Sequence, residues 1–114
     1  MLTRKSIITK YDDISAFSGA PKECDHHVIF GRGVRDLAEQ DGLWIPLTNF
    51  EHNMSNKGTI YQIHDNPAAE KLSKMLGQMA WEKHWIAERY SVPFSDIEEE
   101  AREAFRNRYG QSYL

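Results

Sequence analysis

Two adjacent histidines, His26 and His27, stand just after Asp25 and just before a short apolar run. Two more histidines, His52 and His64, lie in the same half of the chain, so four of its five histidines fall in one region. Neutral imidazole is a common ligand of divalent transition metals, and its pKa near neutrality also suits a general base. This group of side chains therefore predicts a metal site with a proton acceptor beside it.

The spacing of the histidines indicates how they could divide these tasks. Neighbouring side chains on an extended backbone point to opposite faces, so one histidine of the pair can face a metal while the other faces a substrate. The loop at 55–58 would let His52 and His64 reach the same ion. Three imidazoles with an open coordination position favour zinc, nickel, cobalt or manganese over calcium. Three nearby oxygen donors could replace one histidine: Asp25, Asn49 and Asn53.

The first half of the chain is predicted to form a small hairpin with loops. Turn signals recur around Gly19 and at 31–33, 41–42 and 55–58. Two apolar runs lie between these turns, at 28–30 and 43–47. We expect them to pair as two short strands, with the proline of the second run at an edge or a strand end.

The second half is predicted to be helical. An Asp-Asn pair precedes Pro67, which is typical of an N-cap followed by proline in the first turn, and only Gly77 interrupts the pattern before Pro93. A capping-box pattern at 95–98 then predicts a second helix that ends near Gly110. We expect each helix to bury one apolar stripe. The stripes are Leu72, Met75, Leu76, Met79, Ile86 and Tyr90 in the first helix, and Ile97, Ala101, Ala104 and Phe105 in the second.

These elements predict an α+β fold in which a hairpin and loops pack on two C-terminal helices. The 114 residues suit one domain spanning 1–114, with a metal and catalytic region at about 22–68 and a helical scaffold at about 67–110. The formal net charge of −3 argues against nucleic-acid binding by bulk charge alone. The single cysteine excludes zinc sites built from cysteine pairs, and no apolar run is long enough for a membrane span. We therefore expect a cytoplasmic protein with no membrane partner.

In combination, these motifs resemble the HNH nucleases, whose active site is a ββα-metal motif, and within them a group of small phage and prophage HNH-like proteins. The resemblance covers roughly residues 22–114. It rests on His26-His27-Val28, Gly31-Arg32-Gly33, Arg35, Glu39, Gly42-Leu43-Trp44, His52-Asn53, Gly58 and Ile63-His64-Asp65-Asn66, and on the segments 101–105 and 108–114. Many members of the family hold a structural zinc with paired cysteines, which this chain lacks. The helices would have to support the site instead.

The resemblance implies a metal-dependent endonuclease that hydrolyses phosphodiester bonds of DNA. It makes His26, His52 and His64 the ligands of one divalent ion, which would be zinc, nickel, manganese or magnesium, and it makes His27 the general base. Asp25 and Asn53 are alternative ligands, and if Asp25 binds the metal, His26 becomes the base. Arg35 is a further catalytic candidate, Arg32 or Arg35 is expected to steady the flanking phosphates, and Arg32 and Lys57 are expected to bind nucleic acid. Further candidates along the DNA path are Arg102, Arg106 and Arg108.

The resemblance also implies partners, and two other functional classes remain open. The expected partners are DNA and a protein from a phage recombination or defence system. In the first alternative, the scaffold holds a metal without turnover and contacts a protein through Trp81, Trp85 and the C-terminal tyrosines. In the second, all four clustered histidines bind a structural zinc, and none of them is left to act as a base.

Overall fold

The computed structural model describes residues 5–54, 63–90 and 97–114, apart from the side chains of Asn53, Met54 and Asp65. The proposed roles of Asn53 and Lys57, and the first half of the predicted capping box, therefore lie outside the described residues. In chain order the elements are strand β1 (Cys24–His27), helix α1 (Arg35–Asp41), strand β2 (Trp44–Leu47), a π-helical turn (Phe50–Met54), a 3-10 turn (Ile63–Asp65), helix α2 (Pro67–Arg89) and helix α3 (Glu98–Tyr109). The predicted α+β class is confirmed.

Strands β1 and β2 form an antiparallel pair in which His26 lies opposite Ile45 and His27 opposite Trp44. The second strand lies where it was predicted, whereas the first was expected at 28–30 and is instead formed by the histidine pair and the two residues before it. Val28 extends the pairing by one hydrogen bond, from its N–H to the carbonyl of Leu43 at 3.0 Å. Val28 and Ile29 are then both fully buried. The chain bends at these two residues, and β1 ends there.

Helix α1 connects the two strands and was not predicted. The sequence Asp41-Gly42 is a turn signal, and its role is to end this helix: Gly42 has a φ of 73°, and its N–H bonds the carbonyls of Ala38 and Glu39. A left-handed glycine is a common way to end a helix. The helix matters for the site because it places Glu39 against β1.

The two predicted C-terminal helices are confirmed, although the N-cap of α3 is Ile97, without a side-chain hydrogen bond, and not the predicted capping box. The predicted stripe of α2 is right only at Ile86, which is buried, and at Met75, which packs against the core. Leu72 and Met79 are 64% and 57% exposed, and Leu76 and Tyr90 are exposed too. The buried residues of α2 are Ser73, Gly77, Gln78, Glu82 and Ile86. The reason is close packing, since a Cβ on Gly77 would lie 2.6 Å from the Ile29 side chain and 2.8 Å from that of Val28. Only a helix face of small and polar residues can come so near to β1 and the bend that follows it.

Ion pairs with buried carboxylates join the helices to each other and to α1. Asp41 accepts hydrogen bonds from Trp81 Nε1 at 2.9 Å, from Tyr109 Oη at 2.8 Å and from Arg108 Nε at 2.6 Å. Glu82, which is almost fully buried, accepts from Arg102 Nε at 2.8 Å. A buried carboxylate needs such partners. The guanidinium groups of Arg102 and Arg108, which we expected along the DNA path, are thus engaged in holding the fold together.

The apolar core lies between the strand pair and the two long helices. It contains Val28, Ile29, Ala38, Leu43, Ile45, Leu47, Ile63, Phe105, Tyr109 and Tyr113. In α3 the predicted stripe is largely confirmed, because Ala101 and Phe105 are fully buried and the helix ends at Gly110, whose φ is 84°. In the part of the chain that the structure describes, no helix has the length and apolar character that crossing a membrane would demand.

Candidate metal centre

Three histidines from three different elements meet at one point. His26 lies on β1, His52 in the π-helical turn and His64 in the 3-10 turn, and one ring nitrogen of each lies within 4.8 Å of the others. The Nε2 atoms of His52 and His64 are 2.9 Å apart. Nitrogens on a tetrahedral zinc ion are about 3.3 Å apart, from metal bonds of about 2.0–2.1 Å. The observed separations bracket that value, so these three residues could hold a metal ion.

Local hydrogen bonds fix the turn that carries His52. Thr48 and Glu51 form a capping box: the Thr48 N–H donates to Glu51 Oε1 at 2.9 Å, and the Glu51 N–H donates to Thr48 Oγ1 at 3.3 Å. Ser15 Oγ also donates to Glu51 Oε1, at 2.6 Å. Burial alone raises the pKa of Glu51, but the bonds from Ser15 and Thr48 outweigh it and hold that pKa below its ordinary value. A charged carboxylate that accepts these hydrogen bonds thus anchors the turn that carries His52.

The start of α2 positions His64. Asn66 caps this helix, since its Oδ1 accepts hydrogen bonds from the N–H groups of Ala68 and Ala69 at 3.0 and 3.1 Å. The cap was predicted from the sequence, and it holds the 3-10 turn with His64 against the helix. Nδ1 of His64 lies 3.8 Å from a carboxylate oxygen of Glu70 in the first turn of α2. The other nitrogen of the ring, Nε2, faces His52.

His26 is the most enclosed of the three ligand candidates. Its ring is fully buried, and its Nε2 lies 2.8 Å from Ser73 Oγ on α2. Its Nδ1 is buried too and has no hydrogen-bond partner among the described residues. Burial, and then the charges of His52, His64 and His27, lower the pKa of His26 to about 2, so the ring is neutral. A buried nitrogen without a partner costs about 1–3 kcal/mol, and a metal ion would remove that cost.

An aromatic side chain closes one side of the centre. The Phe30 ring lies edge-on to His64, with ring centroids 4.5 Å apart, and its centroid is 5.5 Å from that of His26. Lys74 covers the Phe30 ring, with Nζ 4.7 Å from its centroid. Burial, and then the charges of His64, His27 and Arg35, also lower the pKa of His52. The lowered pKa values of His26 and His52 favour the neutral imidazole, which is the form that binds metal.

His27, the expected general base, points away from the three ligand candidates and towards α1. Its Nε2 lies 2.8 Å from Glu39 Oε1, and its side chain is 7% exposed. The second oxygen, Glu39 Oε2, is buried with no hydrogen-bond partner in the described part of the chain. His27 is adjacent to His26 in the chain, and its charge and that of Arg35 both lower the pKa of His52. The structure thus brings His26, His52 and His64 together, with His27 and Arg35 at their edge.

The other candidates lie outside this group. Asp25 is exposed and pairs with Lys22 at 3.2 Å, and the group of possible ligands among the described residues does not include it. Arg32 is exposed in the turn between Gly31 and Gly33, whose φ values are 119° and 84°. Asn49 is exposed as well. The register in which Asp25 binds metal and His26 is the base therefore has no support in the geometry.

Sequence reasoning missed the residues that orient the ligands. The capping box at Thr48 and Glu51 follows a known sequence pattern and could have been found. Glu39 was matched in the family resemblance but was given no role. Ser73 had no recognisable signal beyond being a small polar residue within the long helical pattern of α2, because its partner His26 is 47 positions away.

Comparisons of this chain with protein-family models, with curated proteins and with solved structures found no match.

Proposed function

We propose that this protein is a metal-dependent endonuclease that hydrolyses phosphodiester bonds in DNA, as in the HNH nucleases that its motifs resemble. One observation carries the proposal: three imidazoles converge within 4.8 Å, one of them with a buried, unpartnered nitrogen, and an adjacent histidine is paired with a carboxylate. A metal site beside a positioned base is the minimum that this chemistry needs. Three nitrogen ligands favour zinc, nickel or manganese over magnesium.

Each histidine has a distinct task in this proposal. His26, His52 and His64 hold the ion, which supplies electrostatic stabilisation of the charge that builds up on the phosphate and on the leaving oxygen. Glu39 Oε1 can only accept a hydrogen bond, so His27 donates to it from Nε2. In neutral His27 the lone pair is then on Nδ1, which takes the proton from the attacking water. A carboxylate partner fixes the orientation of the ring.

Two arginines, Arg35 and Arg32, supply positive charge for the substrate in this proposal. Arg35 begins α1 and acts electrostatically on His52, and Arg32 is exposed three residues earlier. Guanidinium groups bind phosphate oxygens in pairs, which suits residues that flank a scissile bond. The chain has a net charge of −3, so its non-specific affinity for DNA is low. We therefore infer that a protein partner, from a phage recombination or defence system, brings it to DNA.

A plasmid-nicking assay tests the proposal. We expect the protein to convert supercoiled plasmid to the open circular form in the presence of Zn²⁺, Ni²⁺, Mn²⁺ or Mg²⁺. His27→Ala should bind metal as the wild type does but lose nicking by a factor of about 100 or more. His52→Ala should lose both properties. Absence of nicking by the wild type with every one of these ions would overturn the endonuclease assignment.

A second function, metal binding without turnover, has one observation in its favour. His27 is nearly buried, and a base must reach water and substrate. At the same time, an exposed apolar stripe on α2 (Leu72, Leu76 and Met79) offers a surface for another protein. The plasmid assay separates the two functions, because this module binds metal with no nicking at all. The alternative in which all four histidines bind zinc is disfavoured, since His27 pairs with Glu39 instead.

A further inference from the structure

A short chain of hydrogen bonds runs from the metal centre into the backbone of the bend after β1. Nε2 of His26 lies 2.8 Å from Ser73 Oγ, and Ser73 Oγ lies 2.7 Å from the carbonyl oxygen of Val28. All three groups are buried. These hydrogen bonds link β1 to α2 and end at Val28, two positions after His26, so all of them lie within the core.

Counting protons in this chain assigns the tautomer of His26. A carbonyl oxygen can only accept, so the Ser73 hydroxyl donates its one proton to Val28. The Ser73 oxygen must then accept from His26, which places the ring proton of His26 on Nε2. In the neutral ring the other nitrogen, Nδ1, therefore carries a bare lone pair. Nδ1 is the buried atom for which no partner is found among the described residues.

We propose that Ser73 is a positioning residue of the metal site, which holds His26 in the tautomer that presents Nδ1 to the ion. The inference rests on the metal-binding part of the proposed function, and it is independent of whether DNA is cleaved. A histidine that binds metal through one nitrogen commonly donates its other N–H to an oxygen acceptor, and this second contact sets both orientation and affinity. His26, held from Nε2, is thus a ligand through Nδ1, whereas His52 and His64, whose Nε2 atoms face each other at 2.9 Å, are ligands through Nε2.

The packing of α2 makes Ser73 a rigid support. It lies two turns after the Asn66 cap and one turn before Gly77, the point where the helix comes closest to Val28 and Ile29. Both ends of the hydrogen-bond chain are therefore fixed by the same helix-to-strand contact. Rigid supports of this kind are what hold a ligand atom at its working position.

The test compares three variants for metal affinity and for the tautomer of His26. Ser73→Ala removes the acceptor, Ser73→Thr keeps a hydroxyl, and Ser112→Ala is the matched control. Ser112 also hydrogen-bonds a buried side chain, accepting from Gln78 Nε2 at 2.9 Å, but makes no histidine contact in the described structure. We expect Ser73→Ala to weaken Co²⁺ and Zn²⁺ binding by about 10–100-fold. Ser112→Ala should bind as the wild type does, and Ser73→Thr should recover most of the affinity.

Ring nitrogen NMR supplies a readout that a merely structural role would not change. In the metal-free wild type, long-range proton–nitrogen spectra should show the ring proton of His26 on Nε2, and Zn²⁺ should shift Nδ1. In folded Ser73→Ala the preference for that tautomer should be lost. A proton on Nδ1 in the wild type, an Nδ1 that Zn²⁺ leaves unshifted, or unchanged affinity in Ser73→Ala would each overturn the inference. A wild type that binds Zn²⁺ through Nδ1 but never nicks plasmid would overturn only the endonuclease function.

Discussion

Glu39 on helix α1 holds His27 on strand β1 through a hydrogen bond of 2.8 Å between Oε1 and Nε2. The two residues are 12 positions apart, and the short helix between the strands is what brings them together. Since His26 is held from the opposite side by Ser73 on α2, the two adjacent histidines have separate supports. The strand thereby directs one ring towards His52 and His64 and the other towards Glu39 on α1.

Replacing Glu39 should impair catalysis while sparing the metal. Glu39→Leu removes the carboxylate that orients His27, so we expect the nicking rate to fall by about 100-fold or more. Glu39→Gln can still accept the hydrogen bond from Nε2, and its rate should lie between those of Glu39→Leu and the wild type. The measurements are plasmid nicking and Zn²⁺ affinity for each variant.

The matched control for Glu39 is Glu103→Gln, which removes one charge from an exposed ion pair with Arg106 on α3. Its nicking rate should equal that of the wild type. A Glu39→Leu protein that nicks as fast as this control would show that the contact with His27 has no catalytic role.

Metal binding should stabilise the fold. The three histidines join β1, the π-helical turn and the 3-10 turn, so an ion held by all of them links segments that are distant in sequence. At a metal concentration of about 100 times Kd, the stabilisation is about 2.7 kcal/mol. We expect Zn²⁺ to raise the Tm of the wild type and to leave that of His64→Ala unchanged in a thermal melt.

His84→Ala is the control for this experiment. His84 lies on α2, pairs with Glu88 at 3.1 Å and is outside the group of possible ligands. Its variant should keep the full Zn²⁺-dependent rise in Tm. An equal rise in His64→Ala and the wild type would rule out His64 as a ligand.

The sequence predicted the features that depend on local signals. Asn66 before Pro67 is visible as an N-cap, and Gly110 as a helix end, because both act through backbone groups a few residues away. The grouping of His26, His52 and His64 was also predicted, from their residue type and their place in one half of the chain. None of these predictions used the packing of the helices.

The features that failed depend on which surfaces meet. The pattern of α2 offers two candidate faces, and the apolar one looked like the buried one. The helix instead turns the face with Ser73 and Gly77 to the core, because only that face allows contact with Val28 and Ile29. The supports of the site, Ser73 and Glu39, follow from the same packing. No local pattern around them indicates a histidine partner.

The close packing of Gly77 against Val28 and Ile29 predicts whether a Gly77→Ala substitution raises or lowers stability. Alanine is favoured over glycine in a helix by about 1 kcal/mol, so propensity alone predicts that Gly77→Ala stabilises the protein. The new Cβ would lie 2.6 Å from Ile29, however, and overpacking in a core costs about 1–3 kcal/mol. We expect a net loss of stability in urea unfolding, with weaker Zn²⁺ binding because the contact also supports Ser73.

Ala87→Gly measures only the difference in helix propensity between alanine and glycine. Ala87 is exposed on the same helix, so its replacement should cost about 1 kcal/mol without affecting Zn²⁺. If Gly77→Ala were more stable than the wild type, the helix could not pack on Ile29 as closely as described.

Tyr109 should make the protein sensitive to alkaline pH. Burial, and then its hydrogen bond to Asp41, raise the pKa of this phenol above its ordinary value of about 10. In the unfolded chain the same phenol ionises near that ordinary value, so above it the unfolded state binds fewer protons than the folded state. The contribution of Tyr109 to stability is therefore complete below about pH 10. As the pH rises above that value, the free energy of unfolding falls by up to about 1.4 kcal/mol per pH unit.

Urea unfolding at a series of pH values from 8 to about 11 checks this prediction against two variants. Tyr109→Phe removes the ionising group and should lose less stability as the pH rises. It should be less stable than the wild type at pH 8, because it lacks the hydrogen bond to Asp41. Tyr11→Phe is the control, because Tyr11 is 60% exposed, and it should keep the slope of the wild type. Equal slopes in all three proteins would mean that the Tyr109 hydroxyl is not buried against Asp41 in solution.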